Sequence, residues 1–421
     1  MYLGVIADDF TGGTDIAGFL VSGGLSTVQL NGVPDAGFST TADAVVLSLK
    51  SRSCPAAEAV SQSLAALEWF RSQKCERFFF KYCSTFDSTA EGNIGPVTDA
   101  LLKELGENFT IIAPALPVNG RTVYLGYLFV NGVLLNESGM QNHPINPMRD
   151  ANLMRLMEMQ AAGKAGNVPA GVLDKGAGAV REAFAALEKA GVRYGVPDTL
   201  TEAHLNVLGE AVSDMLLVTG GSGLAAGMAH ALVAQGKLQR KDASAFGAPL
   251  PGGRSVVLSG SCSVMTNKQV KLYSASAPAF HLEVERCLSD APGYAAEVAA
   301  WVDRQPQTKG AAPLVYATEP PEALKDIQQR FGAREASDAV ENLFAGLAAL
   351  LKDKGFDHYI VAGGETSGTI VQSLGVSAFH IGPQIAPGVP WVRAVNIPLS
   401  FALKSGNFGD ERFFAVAQGF Y

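Results

Sequence analysis

Short apolar runs alternate with longer stretches of helical period through the first half of the chain, the pattern of a parallel α/β sheet. Tyr2–Ala7, Ser26–Leu30, Ala44–Ser48, Arg77–Lys81, Thr110–Ala113 and Met215–Thr219 read as strands. Between them, Ala56–Ser72 sets Ala59, Val60, Leu64, Leu67 and Phe70 on one helical face, and Ile94–Leu105 and Ala177–Lys189 repeat that period. The spacing also predicts a helix over 146–161, entered through Pro144-Ile145-Asn146-Pro147, where two prolines set a rigid approach.

The pattern breaks at Lys237–Arg254. KLQRKDASAFGAPLPGGR has a basic start, small polar residues, two prolines and a glycine pair, and no sustained hydrophobic period, which suits an exposed connector. Beyond it the alternation restarts. Ser255–Leu258, Leu314–Ala317 and His358–Ala362 read as strands, Gln269–Tyr273 lies in a helical segment, and Glu341–Lys354 is a helix rich in Leu and Ala. The expected architecture is two α/β domains, 1–240 and 255–421, with largely parallel sheets facing a shared interdomain cleft.

Composition narrows the options. A chain of 421 residues suits two or three domains. Its 32 Lys and Arg against 40 Asp and Glu leave a formal charge of −8, which supplies no basic face for nucleic acid. Charged residues are only 17% against about 25% in average proteins, so a large core is expected. The 46 glycines imply tight turns or close backbone approaches. The cysteines, Cys54, Cys75, Cys83, Cys262 and Cys287, are odd in number and show no C-x-x-C spacing. With Asp8 and Asp9 where an export signal would need an apolar core, a cytoplasmic protein is expected. Met215–Gly236 carries no Asp, Glu, Lys or Arg, but its Thr219-Gly220-Gly221-Ser222-Gly223 fits a strand, a glycine turn and a buried helix better than a bilayer span.

Four segments could carry chemistry. An apolar strand ends in Asp8-Asp9, and Thr11-Gly12-Gly13 then opens a helix, placing the carboxylates where open α/β sheets bind ligands. Adjacent residues of a strand point to opposite sides, so one carboxylate is expected to cap the helix while the other faces the ligand. Phe78-Phe79-Phe80 runs into Lys81-Tyr82-Cys83-Ser84-Thr85-Phe86-Asp87, a cation among hydroxyl and carboxylate groups that suits an anionic polyol. Arg52 in Ser51-Arg52-Ser53 follows a neighbouring strand and could hold a carboxylate bidentately. His143, in a polar loop, reads equally as a ligand contact or as a structural residue. In the second half, Gly363-Gly364-Glu365-Thr366 follows a strand and starts a helix, offering backbone N–H groups and a helix dipole to phosphate. Ser259-Gly260-Ser261 and Lys404-Ser405-Gly406-Asn407-Phe408-Gly409 are companion exits, and no Walker A loop is present.

Together these motifs, with Thr14-Asp15 after the first, resemble the four-carbon acid sugar kinase family over nearly the whole chain. Cys83-Ser84-Thr85-Phe86-Asp87-Ser88 and Gln141-Asn142-His143-Pro144-Ile145-Asn146-Pro147-Met148 are most similar to its 3-oxo-tetronate kinase branch; threonate and erythronate kinases of the family carry Asp-Ser-Thr followed by Arg-Gly instead. The resemblance implies ATP-dependent phosphorylation of the terminal hydroxyl of a four-carbon sugar acid, with Mg²⁺ bridging the phosphates. It implies a substrate side of Asp9, Arg52, Lys81, Tyr82, Cys83 and Ser84, with Asp9 as general base and Asp87 in reserve. It implies an ATP side of Ser261, Gly363, Gly364, Glu365, Thr366 and Gly406. No metal ligand is assigned, no nucleic acid or membrane partner is expected, and homodimerisation is left open. Two other classes compete. A nicotinamide-dependent reductase would need G-x-G-x-x-G after the first strand, which is absent. A non-catalytic sugar-acid sensor would have no use for the glycine-rich exits of the second half.

Overall fold

The apolar runs become strands whose side chains are covered on both faces. A computed structural model describes residues 1–34, 38–143, 145–242 and 244–421. The chain divides into two compact units, residues 1–243 and 244–421, and the division falls inside the Lys237–Arg254 segment.

In the first unit β1 (Leu3–Ala7), β2 (Thr27–Asn31), β3 (Ala44–Ser48), β4 (Arg77–Lys81) and β5 (Thr110–Ala113) come in succession. A meander follows, β6 (Arg121–Tyr124), β7 (Tyr127–Val130) and β8 (Val133–Leu134), which forms a small antiparallel sheet of its own. Then come β9 (Lys164–Val168), β10 (Val192–Pro197) and β11 (Leu217–Gly220). The main sheet runs β2-β3-β1-β4-β11-β5-β10-β9 with every pair parallel. Such a sheet needs helices on both faces, which is why β1 and β3 are buried at every residue. From β1 the chain travels to β2 on one side, and from β4 to β5 on the other. The carboxyl ends of β1 and β4 therefore flank a topological switch point, where such folds bind ligands.

The helix Phe10–Ser22 leaves that point and is buried from Phe10 to Val21. Its glycines are imposed by close packing: a Cβ on Gly13 would lie 2.0 Å from Ser48 Oγ. The uncharged Met215–Gly236 stretch resolves into β11, a glycine turn and the helix Gly223–Ala234. That helix crosses Glu202–Ala211 backbone to backbone, since a Cβ on Gly209 would lie 2.1 Å from the carbonyl carbon of Gly227. Among the described residues no helix is long and apolar enough to cross a membrane.

The helix predicted over 146–161 is shorter than its periodicity implied. It spans Leu153–Gln160, because Asn152 is in extended conformation and its side chain accepts from Arg155 N (3.0 Å) as the N-cap. Asp150 reinforces that start by accepting from Asn152 N at 2.9 Å. Pro144, read as part of the helix approach, lies outside the described residues.

The second unit contains β12 (Arg254–Ser259), β13 (Ala279–His281), β14 (Leu314–Tyr316), β15 (Phe356–Ala362), β16 (Ala378–Ala386), β17 (Val389–Ala394) and β18 (Ser400–Lys404). Its order is β13-β14-β12-β15-β18-β17-β16. The strands β13 to β18 in that order are parallel, whereas β17 is antiparallel to both β18 and β16. The carboxyl ends of β12, β15 and β18 thus lie side by side. Their shared face packs Val257, Ile360 and Ala402 against Trp391, Phe413 and Phe414.

Because a methyl at Gly209 meets backbone rather than a movable side chain, Gly209→Ala should cost about 1–3 kcal/mol of overpacking. The expected result is a lower urea midpoint with an unchanged slope.

Candidate active site

The exit of β1 is held by its neighbours' backbones before any side chain acts. Asp8 N–H donates to Lys81 O (3.0 Å), while Ser51 and Arg52 N–H both donate to Asp8 O (2.9 and 3.0 Å). This pins the loop carrying Arg52 over the paired carboxylates. Arg52 Nε donates to Asp8 Oδ2 (2.9 Å) and Nη2 to Asp8 Oδ1 (2.8 Å), while Nη2 also donates to Asp9 Oδ1 (2.7 Å). The expectation that the two carboxylates diverge is therefore corrected. The strand ends at Ala7, Asp9 has already turned to cap the helix, and both acids reach one guanidinium.

Asp9 is the more open acid, with a side chain 24% exposed against 5% for Asp8. Its Oδ1 also accepts from Gly12 N (2.8 Å) and its Oδ2 from Thr11 Oγ1 (3.1 Å). A carboxylate offers about four lone-pair sites, so one site on Oδ2 stays open. Burial would raise the Asp9 carboxyl, but Arg52 and then Lys81 outweigh it and hold it below the ordinary carboxylate range. At Asp8 burial wins over Arg52, and the carboxyl is raised. Burial opposes charge on Arg52 as well, yet Asp8 and Asp9 lift its pKa well above the usual value.

The bidentate grip predicted between Arg52 and a substrate acid is thus already taken by Asp8. What remains is Nη1, which has no partner among the described residues. Lys81 closes β4 and is buried, donating to Tyr82 O at 2.9 Å. No other acceptor lies within hydrogen-bond distance of its ammonium among the described residues. A Cβ on Gly12 would sit 2.2 Å from Asp9 Oδ1 and 3.0 Å from Lys81 Nζ, so glycine is what lets these charges gather.

The other residues expected at the substrate divide. Tyr82 is fully buried, shares a hydrogen bond with Thr219 Oγ1 (3.0 Å) and packs edge-on to Phe80 and Phe86. Its ring packs in the core, and its backbone carbonyl is the group that meets Lys81. Cys83 bonds Thr85 Oγ1 (3.0 Å), and burial, helped by Asp87, pushes its thiol up to about 11. Thr85 in turn donates to Asp87 Oδ1 at 2.6 Å. Phe86 and Asp87 take left-handed φ of 65° and 42°, and this tight turn keeps Ser84 and Asp87 buried beside the β4 exit. His143 Nδ1 accepts from Asn146 N (3.0 Å), a contact within its own loop.

Asp15 was not among the expected site residues. It is 4% exposed, accepts a short hydrogen bond from Ser222 at the β11 turn, and leaves Oδ1 without a partner among the described residues. Burial raises it to about 6, with Lys81 opposing. The signal was present: it is the one charged residue in a helix that is otherwise buried and uncharged along its length.

In the second unit the three glycine exits interlock. Gly260 and Ser261 N–H donate to Ala362 O (3.0 and 3.2 Å), and Gly363 N–H donates to Lys404 O (3.0 Å). A Cβ on Gly260 would meet Thr366 Oγ1 at 2.2 Å, and one on Gly406 would meet Ser261 Oγ at 2.5 Å. Gly363, at φ +130°, takes a conformation that a side chain would strain. Ser261, Gly363, Gly364, Glu365, Thr366 and Gly406 are therefore assembled in one place. Two helices start there: Val264–Ser274, capped by Ser263, and Gly364–Ser373, which no side chain caps. An anion is a natural substitute for the missing cap. Lys404, the first residue of the third exit, was assigned no role of its own and lies fully buried behind this turn.

Two family models match the chain: a sugar-binding N-terminal domain over residues 3–228 and a nucleotide-binding C-terminal domain over 256–414. The chain is 60% identical to the 3-oxo-tetronate kinase of Brucella melitensis across 99% of its own length and 95% of that protein. It is 58% identical to the 3-oxo-tetronate kinase of Haemophilus influenzae, with 100% of each covered. The chain belongs to the four-carbon acid sugar kinase family, in its 3-oxo-tetronate kinase branch. A solved structure from Salmonella typhimurium, 57% identical, matches with a TM-score of 0.90 over 100% of both chains. One from Haemophilus influenzae, 58% identical, matches at 0.79 over 99% of each. In this kinase family member the sugar-binding match contains the Asp9–Arg52–Lys81 cluster, and the nucleotide-binding match contains the interlocked glycine exits.

Gly12→Ala should displace the Asp9 carboxylate without disturbing the sheet. The expected result is a loss of about 100-fold in kcat/KM, the scale of a 1 Å misplacement, with a melting temperature close to that of the unmodified protein.

Proposed function

We propose that the protein transfers the terminal phosphate of ATP to the 4-hydroxyl of 3-oxo-tetronate. The observation that carries this reading is the likeness to a 3-oxo-tetronate kinase over 99% of the chain at 60% identity; the geometry supports the roles given below.

On the sugar side the substrate carboxylate is received by the unspent N–H groups of Lys81 and by Nη1 of Arg52. Ser84 and Cys83 line the same exit. Asp9 accepts the hydroxyl proton through its open Oδ2 site, with Asp87 in reserve. A depressed pKa makes Asp9 a weak base, which fits a phosphoryl transfer in which the hydroxyl gives up its proton late and positioning dominates. On the nucleotide side Ser261, Gly363, Gly364, Glu365, Thr366 and Gly406 surround the phosphates, which meet backbone N–H groups and the uncapped helix start. Among the described residues no group of three His, Cys, Asp or Glu side chains is placed to hold a metal. Mg²⁺ then fits only as an ion held mainly by the phosphates and water, as is common for this ion. It would neutralise phosphate charge.

ATP consumption with purified protein should be fastest with 3-oxo-tetronate in a panel containing threonate and erythronate; a preference for either of the latter would refute the substrate assignment. Asp9→Asn should reduce kcat by about 10²–10⁴-fold, the usual worth of a general base, with KM for ATP changed little. A group held below the ordinary carboxylate range stays ionised as pH falls. The kcat/KM profile, which reports the free enzyme, should therefore show no acid limb from Asp9 above about pH 4, and an inflection near 6 there would belong to Asp15.

A further inference from the structure

Lys404 ends β18 with no solvent exposure, and its ammonium is fully used. It donates to Gly406 O (2.8 Å), Ser405 O (3.1 Å) and Thr266 Oγ1 (3.1 Å). Three N–H groups meet three acceptors. Thr266 completes the arrangement by donating its own proton to Gly406 O at 2.7 Å and accepting from Ser263 Oγ at 3.1 Å. None of these acceptors is charged. The groups facing the ammonium are Thr266 from the helix Val264–Ser274, the two carbonyls of its own loop, and the Phe413 ring 6.0 Å away from the helix Phe413–Ala417. Among the described residues no carboxylate, histidine or other titratable side chain pairs with it, and burial lowers its pKa to about 7.

The direction of the bonds matters. A peptide unit is planar and trans, so its C=O and its N–H point opposite ways. With the carbonyls of Ser405 and Gly406 drawn inward onto Lys404, the N–H groups of Gly406 and Asn407 face outward. Neither finds an acceptor among the described residues. The turn that carries them is pressed against Ser261, beside the Gly363 exit.

We propose that Lys404 is a positioning residue for the nucleotide phosphates: from inside the unit it holds the Ser405–Asn407 turn so that two outward N–H groups, backed by an unneutralised positive charge, receive phosphate oxygens. This rests on the reading of the second unit as the nucleotide site. The charge acts through the turn, since the buried ammonium does not itself reach the ligand. A neutral amine offers two N–H groups and a lone pair to three acceptors, so deprotonation both releases the turn and removes the charge. Conversely, a bound phosphate favours the ammonium and raises its pKa, so binding takes up a proton near neutral pH.

The test is calorimetric titration of the whole chain with ADP between pH 6 and 9, in pairs of buffers that differ in ionisation enthalpy, for the unmodified protein, Lys404→Met and Thr266→Val. At pH 6.5 Lys404→Met should bind ADP about 10- to 100-fold more weakly, the scale of a lost hydrogen bond to a charged group. The gap should close as pH rises to 9. The unmodified protein should take up protons on binding at pH 7.5, Lys404→Met should not, and Thr266→Val should bind more weakly while still taking them up. Should Lys404→Met fail to fold, the other two proteins carry the test. A gap that is constant across pH, or no proton uptake by the unmodified chain, overturns the proposal. Absence of ADP binding by the unmodified chain would instead overturn the nucleotide reading itself.

Discussion

Everything in both units depends on how closely the backbone can approach at the carboxyl ends of the parallel strands. A parallel sheet delivers several chain exits to one edge, and each exit must turn into a helix without filling the space in front of its neighbours. Side chains there would collide: a Cβ on Gly220 would meet Ala113 O at 2.4 Å and one on Gly221 would meet Pro114 O at 2.4 Å. The same holds for Gly12 among Asp9, Arg52 and Lys81, and for Gly260 and Gly406 in the second unit. Of these glycines Gly12 lies inside a helix, which it weakens by about 1 kcal/mol relative to alanine. The loss is offset by the deep burial of that helix, and what results is exposed backbone N–H and concentrated charge at the strand exits.

The two units manage buried charge in different ways. In the first, Arg52 is matched by carboxylates on two of its three nitrogens, which makes it a structural cation with one free edge. Breaking that match would strand Asp8, and a buried charge left alone is costly. Lys81 and Asp15 have more valence to spare, beside the one open site on Asp9. In the second unit no carboxylate answers Lys404, whose partners are neutral oxygens. A site that receives phosphates is better served by such an uncompensated cation than by an ion pair, because a nearby carboxylate would repel the ligand it helps to hold.

Much of this was legible in the amino-acid sequence, and the failures share a cause. Ala44–Ser48, Arg77–Lys81 and Thr110–Ala113 are strands at the residues their apolar runs define, and Ala56–Ser72 and Ile94–Leu105 are helices at the residues their period defines. Local pattern suffices for elements whose burial is continuous. It does not suffice for β9, Lys164–Val168, whose burial is mostly partial, nor for β16 and β17, where an antiparallel hairpin joins an otherwise parallel sheet. It overran the start of Leu153–Gln160, since a hydrophobic period carries no information about which residue caps it. Site residues divide similarly. Asp9, Arg52 and Lys81 each end or follow an apolar run, and the structure gathers them as that pattern suggested. Lys404 ends one too and opens the third glycine-rich exit, but its burial depends on Thr266 and Phe413, which pack around it from other parts of the chain. The burial of the Tyr82 ring was not legible, because it depends on Thr219, 137 positions away.

The charge balance of the first unit bears on why Asp15 is there at all. Asp8, Asp9 and Asp15 face Arg52 and Lys81, so the cluster carries one negative charge when all three acids are ionised. A sugar acid brings another into the same space. Asp9 cannot relieve the excess, because Arg52 and Lys81 hold its carboxyl below the usual range. Asp8 is raised, but both of its oxygens are bound to Arg52, and protonation there would break a bidentate pair. Asp15 has one oxygen without a partner and a carboxyl already raised to about 6, and a further anion nearby raises it more. Under the substrate roles proposed for this cluster, proton uptake at Asp15 is therefore the smallest adjustment by which it would accept an anionic substrate, since it breaks neither the Asp8–Arg52 pair nor the contacts that hold Asp9.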